Sequence, residues 1–304
     1  MTKHIAVLMG GWSVEREVSL VTGGAVAKSL REQKYRVTAV DVGRNIAAIL
    51  AGLRPDVAFN ALHGRFGEDG AIQGLLEILS IPYTHSGVLA SALAMDKPTA
   101  RTLFDEVGIT CPEGRVCHRD EVLAGNVMDP PYVVKPTNEG SSVGVTIVFE
   151  GENERPLDPE HWHYGDHVLV ERYIPGREIQ VAVMGDRALG AVEIRPKGRF
   201  YDYDTKYTDG LAEHLMPAPL PPDHYEEALR LSFLAHTTLG CRGVTRADLR
   251  YDDTGDAGGD FYMLEINTQP GMTPISLVPE IAADAGMSFG ELVNWMIEDA
   301  GCNR

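Results

Sequence analysis

The chain has 304 residues, 44% hydrophobic and 23% charged, the composition of an ordinary globular protein long enough for two or three domains. Its formal net charge of −17 argues against binding a nucleic acid polymer, which needs Lys and Arg to displace counterions, but leaves room for a nucleotide held by a local Lys cluster. No apolar run approaches the roughly 18 residues of a membrane span, so no membrane partner is expected.

The opening MTKHIAVLMGG reads as a first strand ended by Gly10-Gly11, not as a secretion signal. Cys111, Cys117, Cys241 and Cys302 form no CxxC pair, which fits a reducing, cytoplasmic setting better than a zinc site or a disulfide framework. Strand signals at 5–9, 36–42 and 57–61 alternate with helical stretches at 18–32 and 71–79. That alternation predicts a parallel sheet covered on both faces, with ligands beyond the strands' carboxyl ends. The loops 10–17 and 62–70 are therefore the places to search. GxGxxG is absent, so NAD is discounted.

Asp96 before Lys97-Pro98 reads as the cap of a new helix, and a domain boundary is placed there. Short strands follow at 132–135, 145–148 and 168–172, with a polar connector at 158–166. The last part mixes strands at 179–184, 188–194, 244–251 and 261–266 with helices at 224–239 and 288–300. Segment 201–213 is polar and aromatic without a period, equally an active-site loop or an ordinary surface loop. The division is 1–94, 95–174 and 175–304.

The 244–251 and 261–266 runs read as a hairpin. Residues two apart share a strand face, so Glu265 and Asn267 point together, and Asp248 joins them from the neighbouring strand with Arg246 beside it. Two carboxylates and an amide carbonyl are hard ligands suited to Mg²⁺ on nucleotide phosphates. Ala247, Leu249, Leu264 and Ile266 fill the alternate positions, which argues for one packed and one functional face. Lys135 ends a strand and opens into Gly140-Ser141-Ser142, small residues whose N–H groups can approach phosphate. Taken alone that loop is as well read as a plain hairpin turn. Lys97 and Lys206 are ordinary surface lysines by residue type, and Glu171 to Glu178 is a Pro-Gly-broken link that could serve an adenine and a ribose. Glu15 in the first loop can pair with an ammonium or stabilise a helix N-terminus; His63 follows the third strand.

Assembled, these segments resemble the D-alanine–D-alanine ligases of the ATP-grasp superfamily, nearly end to end. The resemblance rests on GGWSVEREVS at 10–19, NALHGRFGEDG at 60–70, MDK at 95–97, VKPTNEGSSVG at 134–144, FYDYDTKY at 200–207, EINTQPGMT at 265–273 and SLVP at 276–279. It implies an α/β (α+β) ATP-grasp fold: an N-terminal doubly wound parallel-sheet domain, then two domains that clasp ATP. It implies ligation of two D-alanines through an acylphosphate, for peptidoglycan synthesis. The implied cofactors are ATP and two Mg²⁺ ions, with Mn²⁺ as a substitute and a monovalent cation as an optional helper. The implied partners are two D-alanine molecules and a second copy of the chain.

By the same resemblance, Lys97, Lys135 and Ser142 contact phosphates, Glu171, Ile174 and Glu178 hold adenine and ribose, and Lys206 reaches the γ-phosphate. Asp248, Glu265 and Asn267 hold the metals. Glu15 and His63 serve the first D-alanine, and Ser141 and Tyr207 complete a triad with Glu15. Arg246 and the Gly271 N–H stabilise the oxyanion; Ser276 and Leu277 receive the second carboxylate. Tyr207 favours a dipeptide over an ester product. Gln269 stands where the family usually has Ser, and Pro274-Ile275 replaces a commoner polar pair beside the second-substrate pocket. The alternatives are a ligase for D-serine or D-lactate, and a non-catalytic nucleotide-binding regulator. The set Lys135, Arg246, Asp248, Glu265 and Asn267 is more than a silent binder needs.

Overall fold

The computed structural model describes residues 2–125, 127–140, 143–151, 157–158, 162–197, 212–255, 258–273 and 275–303. The first unit alternates β1 (His4–Met9), α1 (Arg16–Glu32), β2 (Arg36–Asp41), α2 (Ile46–Leu53), β3 (Val57–Asn60), α3 (Ala71–Leu79) and α4 (Val88–Met95). The strands are parallel in the order β2-β1-β3. Central β1 is apolar without alternation because both its faces are covered. Ile5 and Val7 pack with Val26 and Leu30 of α1, whereas Ala6 and Leu8 pack with Leu50 of α2 and Leu76 of α3.

Asp96 caps α5 (Lys97–Glu106) by accepting the Thr99 N–H at 3.0 Å, with Pro98 in the first turn, as the residue order predicts. A second sheet follows, built from β4 (Gly114–His118), β5 (Tyr132–Pro136), β6 (Thr146–Val148) and β7 (His167–Arg172), with α6 (Arg119–Ala124) after β4. Its order is β4-β7-β5-β6, antiparallel throughout.

The third sheet contains β8 (Arg177–Met184), β9 (Arg187–Pro196), β10 (Ala212–Leu215), β11 (Val244–Asp252) and β12 (Asp260–Asn267) in the order β10-β9-β8-β11-β12. One face packs on α7 (Pro222–Thr238) and α5 through Ile179, Val181, Ala247, Leu249 and Met263. The opposite face divides. Near Ala182 and Val244 it is covered by α8 (Leu277–Asp284) and Met272, while α9 (Phe289–Asp299) joins the same core and returns the chain to β1. Around Glu178, Asp248 and Arg250 it is open and looks toward the second sheet.

Three expectations change. Helices 46–53, 88–95, 119–124 and 277–284 are not legible as periods, since none exceeds eight residues and so none spans much more than two turns. The segment 201–213 is not loop to its end, because Ala212 and Glu213 begin β10; residues 201–211 lie outside the described residues. Finally, Leu264 does not belong to the packed face. The β11–β12 register passes from Asp248↔Glu265 to Leu249↔Met263, so a β-bulge places Leu264 as the extra residue. Met263 takes its place in the core, and Leu264 lines the cavity beside Glu265.

Candidate active site

A cavity of about 460 Å³ lies between the second and third sheets. Of the residues singled out in the sequence, Lys97, Lys135, Glu171, Ile174, Glu178, Asp248 and Glu265 all line it. Val133, Ile147, Ile174 and Leu264 add an apolar lining from both sides, the kind of slot a flat base fills. The link 173–176 between β7 and β8 closes one edge. Arg250 anchors it, donating to the Ile174 carbonyl at 3.1 Å and the Gly176 carbonyl at 2.8 Å.

The two lysines of the cavity are held in ion pairs. Lys135 Nζ pairs with one Glu171 oxygen, and Arg101 takes the other at 2.6 Å. Lys97 Nζ donates to the Glu139 carbonyl at 2.5 Å and stands 3.1 Å from Glu265. Burial raises the pKa of the Glu139 carboxyl, against the opposing charges of Arg65 and Lys97. Sequence reading missed Arg101, although it lies one helical turn from Lys97, on the same side of α5. It missed Arg250 too, although Arg250 follows Asp248 at the two-residue interval that defines the open face.

The proposed metal groups stand where strand pairing brings them. Asp248 is directly opposite Glu265, and Arg246 directly opposite Asn267. Asn267 lies off the main cavity, in a neighbouring crevice that shares Lys97, Glu139 and Glu265. Its Oδ1 accepts the Gln269 N–H at 2.8 Å, which orients the amide oxygen. Among the described residues no three or more His, Cys, Asp and Glu side chains are grouped so that they alone could hold a metal ion. The set is two carboxylates and an amide, hard donors that fit Mg²⁺ when phosphate oxygens and water complete its shell.

On the other side of Gly140 is an acidic pocket of the first unit. A β-carbon built on Gly140 would lie 3.7 Å from oxygens of both Glu15 and Glu68; one built on Gly64 would lie 2.6 Å from Glu15. His63, which is 5% exposed, stands 3.2 Å from Glu68 and 3.1 Å from the Thr22 hydroxyl. Burial works against its charged form, but the hydrogen bond and charge of Glu68, with Glu15 and the Gln269 backbone, outweigh it and raise the imidazole pKa. Glu68 was legible in the 60–70 motif but had no assigned role.

Gln269 closes this pocket toward the third sheet, accepting from Asn60 Nδ2 at 3.1 Å and donating to the Asn60 carbonyl. Ser276 is the N-cap of α8, and its Oγ accepts the Thr273 N–H at 2.9 Å. Gly271 lies against it, since an added β-carbon would come within 2.9 Å of that Oγ. Leu277 follows as the first residue of α8. The structure thus brings Gly271, Ser276 and Leu277 together. Ser141, Ser142, Lys206, Tyr207 and Pro274 lie outside the described residues.

Two antiparallel sheets facing one another over a lysine-bearing cavity, fed by a parallel α/β unit, define an ATP-grasp ligase. Comparison narrows the class. Family models described as D-ala D-ala ligase C-terminus and N-terminus match residues 114–298 and 51–86. The D-alanine–D-alanine ligase of Methylorubrum populi is 59% identical over 307 residues, covering 100% of both chains. A crystal structure of the Bacillus anthracis D-alanine–D-alanine ligase complexed with ATP superposes with a TM-score of 0.82 at 29% identity, covering 98% of this chain and 97% of that one. The VanG D-Ala:D-Ser ligase of Enterococcus faecalis gives 0.81 at 27% identity, covering 98% and 99%. The chain belongs to the D-alanine–D-alanine ligase family.

Proposed function

We propose that the chain joins two D-alanines into D-alanyl-D-alanine at the expense of ATP, supplying a precursor of peptidoglycan in the cytoplasm. The observation that carries this reading is the meeting of Asp248, Glu265, Lys97 and Lys135 at one cavity, bordered at Gly140 by Glu15. The full-length identity to D-alanine–D-alanine ligases supports the choice of substrate.

In this reading Val133, Ile147 and Leu264 sandwich the adenine, Glu178 binds the ribose, and Lys97 and Lys135 receive phosphate oxygens. Glu171 holds Lys135 in place as well as bordering the base. Magnesium ions at Asp248, Glu265 and Asn267 would offset phosphate charge as the γ-phosphoryl group moves. Glu15 binds the ammonium of the first D-alanine, beside the His63–Glu68 pair. The first carboxylate attacks the γ-phosphorus as the bond to the β-phosphate breaks and ADP departs, giving an acylphosphate whose phosphate is a good leaving group. The second amine then adds to the carbonyl carbon and loses a proton, and the tetrahedral intermediate expels phosphate to leave the amide. Arg246 and the Gly271 N–H stabilise the oxyanion, and Ser276 with the Leu277 N–H holds the second carboxylate. Charge stabilisation and positioning carry such transfers. Ser141, Ser142, Lys206 and Tyr207 are proposed for the roles the family motif gives them.

The domains are proposed as 1–94, 95–174 and 175–304. A homodimer is proposed through α3 and α4, where Ile78 is 82% exposed and Leu89 68%. No described helix is long and apolar enough to cross a membrane.

Phosphate release and product chromatography test the function. The assay runs with Mg²⁺ or Mn²⁺, with and without K⁺, on D-alanine alone or mixed with D-serine or D-lactate. D-alanyl-D-alanine as the dominant product is expected. Phosphate release that ignores D-alanine would remove the proposal, and a mixed dipeptide or ester as the main product would redirect it.

A further inference from the structure

Gln180 sits in β8 directly opposite Asp248 of β11 and opposite Val192 of β9, and its side chain is completely buried. By strand alternation it shares the open face with Glu178 and Ala182, at the line where the α8-covered core gives way to the nucleotide cavity. Its Nε2 donates to Glu178 Oε1 at 3.2 Å. That bond fixes the amide's orientation, since turning it over would set its oxygen against a carboxylate. The carbonyl oxygen then points away from Glu178, and among the described residues it has no partner.

A buried amide with an unfilled acceptor is costly where Met or Leu would pack at similar volume. Such a group is explained if another state of the protein fills it. The neighbouring strand holds the donor. Arg246 spends Nε and Nη2 on the two oxygens of Asp248, at 2.7 and 2.8 Å. Arg246 is opposite Ala182, and so diagonal to Gln180, within reach of a long side chain. A divalent cation on Asp248 would compete for its carboxylate oxygens and repel the guanidinium, freeing Arg246 N–H groups for a further acceptor.

We infer that Gln180 is a positioning residue of this site, holding Glu178 through its amide N–H and receiving an N–H of Arg246 when a cation occupies Asp248. The inference rests on the reading of Glu178 as a ribose group and Asp248 as a metal group.

Calorimetry on the full-length protein tests it with two titrations: adenosine without metal, and Mg²⁺ into the ADP-saturated protein. Gln180→Met removes both hydrogen bonds, and Gln180→Glu keeps an acceptor but loses the donor to Glu178. Adenosine Kd should rise about tenfold in both variants. Mg²⁺ Kd should rise about tenfold in Gln180→Met and stay within about twofold in Gln180→Glu. The ligand-free Gln180→Met protein should melt no lower than the parent, because it sheds an unfilled acceptor. Unchanged adenosine and Mg²⁺ affinities, with or without a lower melting temperature, would mark Gln180 as structural and overturn the inference. Glu178→Gln and Asp248→Asn serve as controls. If they too leave both affinities unchanged, the reading of the site falls and takes the inference with it; if they alone weaken binding, only the role of Gln180 falls.

Discussion

Arg246 and Asp248, two residues apart on β11, close on each other through two parallel hydrogen bonds of 2.7 and 2.8 Å, with side chains 14% and 6% exposed. Each is proposed for a different task, oxyanion stabilisation and metal binding, and the pairing occupies both. In the proposed reading, a cation on Asp248 would free N–H groups of Arg246 for the substrate oxyanion and for Gln180 together. Asp248→Asn should lower kcat at least about a hundredfold, the scale of a lost group that stabilises transition-state charge. Steady-state kinetics across a Mg²⁺ titration check this. Near-normal kcat at saturating Mg²⁺ would contradict it.

Gly64 has φ +70, and a β-carbon there would lie 2.6 Å from Glu15. Gly64→Ala therefore adds left-handed strain of about 1 kcal/mol and pushes the Glu15 carboxylate aside. The KM for the first D-alanine should rise at least about tenfold, the loss of one charge-assisted hydrogen bond, while ATP affinity holds. Initial-rate kinetics and ATP calorimetry on the same preparation separate the two.

Gln269 ties the first unit to the end of β12 by its side chain, through Asn60, and orients Asn267 by its main-chain N–H. Gln269→Ala deletes only the first function. Leaving the buried Asn60 groups short of a partner should cost about 1–3 kcal/mol of stability. Mg²⁺ affinity of the folded variant should stay close to the parent's. Denaturant unfolding and Mg²⁺ calorimetry supply the two readings, and a large loss of Mg²⁺ affinity would show the side chain to matter at the metal.

His236 is 2% exposed, with Nδ1 2.8 Å from the Thr245 hydroxyl. Burial, and then the charge of Arg242, lower its pKa from 6.5 to about 4. The folded protein keeps the ring neutral where the unfolded chain would protonate it. This stabilisation is complete above pH 6.5 and is lost as pH falls toward 4, amounting to about 3 kcal/mol. The stability difference between the parent and His236→Gln should therefore shrink across that window. A difference that does not change with pH would refute the assignment.

The alternation of strands and helices in the first unit was readable because β1 is apolar on both faces, and the α5 start because Asp96 and Pro98 cap it locally. Glu265, Asn267 and Asp248 were readable because a two-residue strand period is a property of neighbours in the chain. These are short-range facts, set by backbone geometry and side-chain type within a few residues. Long-range facts were beyond such reading. The bulge that turns Leu264 into the cavity depends on how β12 pairs with β11, and nothing local to Met263-Leu264-Glu265 announces it. The ion pairs of Arg101 with Glu171 and of Lys97 with Glu265 join residues 70 and 168 positions apart. So does the Gln269–Asn60 bridge, across 209 positions. Residue identity decided which groups could hold phosphate and metal. Only packing, which brings distant strands within hydrogen-bond range, decided which carboxylate each cation would meet.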